Sequence, residues 1–311
     1  MENILLIDTV NFLGMSQLLT NSLIAASVYA LIALSFSLIY GTTRFFHIAH
    51  GAVYVVGAYA AYAAIRLLNW AAWGVWGTLG AVVLAVAAAA VLGGLMECGI
   101  YRPLRRRGAT PMVLLIASLG MYIVIQNLIS AFFGDDTKTI RTWPVREGLP
   151  VFVARIAPVQ IVIIATTTLL FVATIRVLKR TKAGIAMRAL ASNPELAGVV
   201  GMNADRVILN AFLVGSALVG AAGVLISLDI DMTPTMGLNA LLMGAVAAII
   251  GGIGSIPGAA IGALILAFAQ QFGVWKIPTQ WQDAIAFAVL LVFLVMRPWG
   301  VFGRKGRRVR V

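Results

Sequence analysis

Apolar residues run along this chain in long blocks that no Lys, Arg, Asp or Glu interrupts. The blocks cover residues 9–43, 45–65, 67–96, 108–134, 156–175, 207–228 and 232–275, and a last one, 277–296, is broken only by Asp283. A membrane-spanning helix needs about 20 mostly apolar residues. Spanning strands would alternate polar and apolar positions, and these blocks do not. Helices also satisfy their backbone internally, as a bilayer demands. The pattern predicts spans near 15–40, 47–67, 73–100, 111–132, 158–177, 207–228 and 281–297. The 232–275 block is too long for one helix, and its centre reads GGIGSIPGAAIG. Its glycines and Pro257 predict two shorter helices joined near Gly251 to Pro257, either a re-entrant hairpin or two short crossings. The expected fold is an all-α integral membrane bundle of about eight hydrophobic helices, one Gly-rich pair being broken or re-entrant, in a single domain over 1–311.

Composition agrees. Hydrophobic residues make up 61% of the chain and charged residues 11%, with a mean hydropathy of +0.98. A soluble domain is nearer a quarter charged. This excludes a soluble enzyme, a disordered chain and a nucleic-acid-binding domain, despite a formal charge of +12. The single Cys98 excludes an internal disulfide and a cysteine metal cluster. The first block carries no Lys or Arg before Arg44 and is longer than a cleaved signal's apolar region, so it reads as a span.

The charge has a direction. Basic residues cluster at 102–107, 176–188 and 297–310, and placing these inside also places Arg44 and Arg206 inside. Glu2, Asp8, Asp135, Asp136, Glu147, Asp229 and Asp231 then fall outside. The N-terminus is expected outside and the C-terminus in the cytoplasm. Residues 134–157, with Pro144 and Pro150, form an external loop.

Residues 179–206, KRTKAGIAMRALASNPELAGVVGMNADR, lie inside. Asn193 can cap a helix, Pro194 suits its first turn and Glu195 suits the positive end of its dipole. Gly201 can end it. A helix of about two turns is too short to stand alone, so it needs packing against this chain or a partner. A basic helical stretch, 183–191, precedes it.

This segment resembles the cytoplasmic coupling signature of ABC importer permeases, Glu-Ala-Ala followed three residues later by Gly. Here Glu195-Leu196-Ala197 precedes Gly201, with Leu196 in place of the middle alanine. GIAMRALASNPELAGVVGMN with FLVGSALVGAAGVL, FFHIAHGAVYVVGAYAAY, AIIGGIGSIPGAAIGALI and MRPWGVFG resemble, in order, the branched-chain amino acid permease family of the LivH type. The resemblance implies a translocation subunit in a bacterial inner membrane, working by alternating access. It implies as partners two ABC ATPase subunits, a second related permease and an external solute-binding protein. This chain would hold no cofactor, and ATP with Mg would sit on the ATPases. It implies ATPase-coupling roles for Arg188, Asn193, Pro194, Glu195, Ala197 and Gly201. Substrate-pathway roles fall to His50, Gly51, Gly57, Tyr59, Gly251, Gly252, Gly254 and Ser255. His47, Ala52, Gln270 and Gln271 depart from the family pattern, which leaves open urea, amides or small organic acids as solutes.

Each candidate has a plainer role. His50 opens the second span near the inner interface, where water reaches it, and can simply satisfy a helix end. His47 and His50 are three apart with no third ligand, so no metal is expected. Gly254, Gly258 and Gly262 lie four apart, a spacing for close helix packing. Alternatively the break exposes backbone groups to a zwitterionic solute. No Gly-Lys-Ser/Thr follows any glycine run, so nucleotide is handled by another chain. Glu97 can pair with nearby arginines and Cys98 reads as a small packing residue. An ion-coupled carrier or a channel would need charges deep in the spans, and only Asp283 comes near. No short segment offers a nucleophile with its base.

Overall fold

The computed structural model describes residues 2–141, 148–151 and 154–303. Pro144, Arg146 and Glu147 lie outside these, as do the basic residues at 304–310. Among the described residues twelve α-helices form the bundle: α1 (Glu2–Thr43), α2 (His50–Tyr62), α3 (Gly74–Met96), α4 (Arg102–Arg106), α5 (Pro111–Phe133), α6 (Pro158–Arg180), α7 (Lys182–Ser192), α8 (Pro194–Val199), α9 (Ala204–Asp229), α10 (Met236–Gly251), α11 (Ile256–Gly273) and α12 (Gln282–Met296). A π turn extends α2 over Ala63–Leu67, and another, Glu97–Tyr101, joins α3 to α4. The loop 134–157 departs from the all-helical expectation. It holds a small antiparallel hairpin of β1 (Leu149–Val151) and β2 (Ala154–Ile156), with Leu149 opposite Ile156.

Helices α1 and α9 form the centre. Leu31, Ile32, Ala33 and Leu34 point to successive sides of α1 and all are buried. Most of α9 from Leu218 to Leu225 is buried too. A helix that is apolar all round belongs inside a bundle. By contrast α5 buries one stripe, Leu114, Ser118, Tyr122, Ile125 and Ile129, and α12 buries only Ala286. Their remaining apolar faces are the surface that lipid or another subunit covers.

Small residues bring the central helices close, as is usual where lipid supplies no hydrophobic drive between helices. The α3 stripe Gly77, Ala81, Ala85, Ala89 and Gly93 is buried. A Cβ on Gly93 would strike Ser216, and one on Gly220 would strike Ala89, so α3 and α9 run antiparallel. Likewise Gly57 lies on the Gly220 backbone and Gly51 on that of Gly237.

Seven helical segments are long and apolar enough to cross a membrane. A shorter apolar helix, α10, and α2 with its π turn pack within the same bundle. The 232–275 block resolves as two short crossings. Asn239 near the start of α10 donates to Asp283 at the start of α12 (2.8 Å). Gly251 at the other end of α10 accepts from Phe302, beyond the far end of α12. So α10 crosses alongside α12, turns at 252–255, and α11 returns, with Gly273 against Ile285. Gly258 and Gly262 give the close approach expected of them, meeting the Gly251 and Ala247 carbonyls. Gly254 does not share that face; at φ +84° it belongs to the turn. Residues 44–49 are non-helical, and α2 begins at His50, the residue expected to open the second span.

Candidate coupling site and buried polar junction

Three consecutive helices at the basic end are each started by a side chain. Thr181 Oγ1 accepts from the Gly184 amide (3.1 Å) at α7, Asn193 Oδ1 from Leu196 (3.1 Å) at α8 and Asn203 Oδ1 from Arg206 (3.1 Å) at α9. Such caps satisfy amides that no helical partner reaches. Pro194 occupies the first turn of α8, where its missing N–H costs nothing, and Glu195 sits at the positive end of the dipole. At the other end Gly201 adopts φ +78°. Its amide bonds Gly198 (2.9 Å) and the Met202 amide bonds Ala197 (3.0 Å), the two crossed bonds of a Schellman ending. Of the six α8 residues only Ala197 is buried. Leu196, Val199 and Val200 are 61%, 83% and 73% exposed, and Arg188 on α7 is exposed as well. The segment therefore brings Arg188, Asn193, Pro194, Glu195, Ala197 and Gly201 into one short neighbourhood with an apolar outer face.

An ion-pair network anchors its far side. Glu97 is fully buried and held by both Arg105 nitrogens, Nη1 at 2.9 Å and Nη2 closer. This is the pairing expected of Glu97. Asp205, in the first turn of α9, accepts from Arg102 (2.8 Å) and Arg106 (2.9 Å), with Arg105 at 3.6 Å. Sequence reading missed Asp205 as the partner of this basic cluster; its position two residues after an Asn cap was the available signal. Cys98, expected to pack, is exposed on the bundle surface.

A second cluster lies deep in the bundle. His50 is fully buried and out of reach of water, contrary to the inner-interface position expected for it. Its Nε2 lies 2.8 Å from Ser35 Oγ, two turns above the end of α1. Chain 44–49 climbs back along α1 before α2 begins, which places His50 at this depth. His47 Nδ1 meets Ser118 Oγ and the Tyr101 hydroxyl, both at 3.2 Å, and Ser118 Oγ also accepts from the Ala49 amide (2.8 Å). Rings of Phe45, Tyr101 and Phe212 surround His47. Four elements thus meet on one short loop. Ser35, Tyr101 and Ser118 carried no sequence signal, since only the fold brings them to the histidines.

The expected pathway residues lie at separate places in the bundle. His50 and Gly51 lie in the bundle interior. Gly57 packs on α9, and Tyr59 is buried against Tyr62 and Phe133. Gly251, Gly252, Gly254 and Ser255 form the α10–α11 turn at the other end of α10. Ser255 Oγ caps α11 by accepting from Gly258 (3.2 Å), and Gly252, at φ +100°, lies against Gly303. The departures from the family pattern are interior too. His47 and Ala52 are buried, and Gln270 donates to Met243 Sδ (3.2 Å) and the Gln282 carbonyl (3.3 Å).

This is a polytopic, mainly helical membrane protein with an exposed, capped helix pair at its basic end, the form of a transport permease. Residues 18–294 match the profile of the family described as branched-chain amino acid transport system / permease component. The chain belongs to that family. It is 34% identical over 301 residues to the high-affinity branched-chain amino acid transport system permease protein LivH of Escherichia coli (strain K12), covering 94% of this chain and 97% of that one. It is 35% identical over 297 residues to BraD of Pseudomonas aeruginosa, a permease protein of the same description, covering 93% and 95%. In overall fold it is similar to PsaBC from Streptococcus pneumoniae in complex with Fab, with a TM-score of 0.51 at 12% identity over 93% of this chain and 95% of that one.

Proposed function

We propose that this chain is the membrane-spanning subunit of an ATP-driven importer that carries branched-chain amino acids across a bacterial inner membrane. The observation that carries the proposal is α8: a helix of about 9 Å, capped at both ends and exposing Leu196, Val199 and Val200. Exposed apolar side chains at the charged end of a membrane protein mark a docking surface. An ABC ATPase is the occupant that the family supports. Two ATPase subunits holding ATP and Mg, a second related permease and an external binding protein complete the machine. The basic end faces the cytoplasm with the C-terminus; 134–157 and the N-terminus face outside. ATP-driven closure of the ATPases moves 179–206, and the bundle answers by exchanging outward and inward openings. Branched-chain solutes are supported by the names of the full-length relatives.

The test is uptake of labelled leucine, isoleucine or valine into vesicles bearing the reconstituted complex. Uptake requires ATP on the ATPase side and binding protein on the other. Gly201→Asp places a side chain at φ +78° and distorts the α8 ending. Substrate-stimulated ATP hydrolysis and uptake are then lost, while the protein stays in the membrane. Normal uptake by that variant, or wild-type uptake that follows an ion gradient without ATP, refutes the assignment.

A further inference from the structure

Arg44 joins the coupling segment to the loop that carries His47 and leads to His50. It follows the last residue of α1 and is one of two non-glycine residues with positive φ among the described residues, at +59°. A left-handed backbone is unfavourable for a side chain with a Cβ, and glycine would fill this position more comfortably. The side chain is what the position uses. Arg44 Nη2 donates to the carbonyl of Ala191, near the end of α7, while its own amide bonds Tyr40 (2.8 Å). Gly41 lies 3.6 Å from the Ala191 Cβ by the site of its own missing one, so the two helix ends are in contact here. Two residues after Ala191 comes Asn193, the cap of α8. Three residues after Arg44 comes His47, whose ring joins α5, the α3–α4 π turn and α9; His50 then joins α1.

We propose that Arg44 is a positioning residue that latches loop 44–49 to the end of α7, two residues before the α8 cap, so that displacement of α7 and α8 is delivered to the His47–His50 junction. Without the latch, α8 still binds its partner but its movement reaches the bundle through the packing of α7 and α9 and no longer through loop 44–49. This inference rests on the importer reading above, and the experiment separates the two.

The complete complex is reconstituted in vesicles, and labelled leucine taken up is measured against ATP hydrolysed. Thermal melting of the purified complex is followed alongside. Wild type must first show ATP-dependent uptake; if it does not, the importer reading fails and Arg44 has not been reached. Given that, Arg44→Gly removes the latch while suiting the backbone. Its melting midpoint is unchanged or raised, ATPase association is kept, and solute moved per ATP falls by about fivefold or more, the lower range of a measurable coupling. Arg44→Lys keeps a charged donor of similar reach and recovers part of the ratio. An Arg44→Gly complex with the wild-type ratio overturns the proposal. So does a variant whose ratio and melting fall together with no recovery by Arg44→Lys, because that is a structural role alone.

Discussion

Two connections close helices at the basic end, and they do it by different means. Residues 179–206 begin each helix with a side chain, from Thr181, Asn193 or Asn203. The α10–α11 turn is completed mainly by backbone: Ile250 and Gly251 accept from Val301 and Phe302, and Gly300 and Gly303 press on Gly252. Both meet the same demand, the unpaired groups at helix ends. The side-chain solution leaves the outer surface of α8 free for another molecule. The backbone solution ties the start of the turn to residues 300–303. One connection is built to be touched and the other to be fixed.

Substitutions can break or sharpen that contrast. The largest effect on stability is expected at the anchor beside α8. Arg105→Met strands the buried Glu97 carboxylate and lowers stability by about 3–5 kcal/mol, read as a fall in melting temperature and in membrane yield. Adding Glu97→Leu recovers most of it, because an apolar pair in place of a buried ion pair is near neutral. A single variant that melts like wild type removes the anchor from the account. Next comes the fixed connection. Gly262→Val forces side-chain atoms into the Ala247 carbonyl and costs about 1–3 kcal/mol by overpacking. If it melts normally, the α10–α11 contact is looser than described. Asn193→Ala is smaller, about 1 kcal/mol. It falls locally: amide exchange at 195–200 quickens while global melting barely moves. A uniform loss across the bundle contradicts the separate character of α8. Leu196→Glu, at an exposed site, changes stability least, by under about 0.5 kcal/mol, yet the ATPases no longer co-purify. Retained co-purification places their contact elsewhere.

The contrast also marks what the chain's pattern could reveal. Charge-free blocks locate spans because a bilayer imposes one rule on every residue of a helix. Asn193, Pro194, Glu195 and Gly201 were legible because caps act within a few residues of themselves. Glu97 was legible because its arginines follow in the next two turns. The His47–Ser118–Tyr101 contacts and the Arg44–Ala191 latch join residues far apart in the chain, and no local pattern encodes them. The depth of His50 was misjudged for the same reason. A charge map gives the side on which α1 ends, but not that residues 44–49 double back along it. The choice between a re-entrant hairpin and two crossings likewise depended on Val301 and Phe302, some 50 residues from the turn they close.

That last contact has a consequence for biosynthesis. A ribosome releases the α10–α11 turn well before Val301 and Phe302 exist. Until then the carbonyls of Ile250 and Gly251 lack their eventual donors, and the turn is held only by its own glycine contacts and the Ser255 cap. The closing bonds form between the residues that follow α12 and the hairpin before it, after all three helices have been made. Completion of the hairpin is therefore a late, post-insertion event. A chain that terminates before Gly300 can thread every helix through the bilayer and still lack this closure.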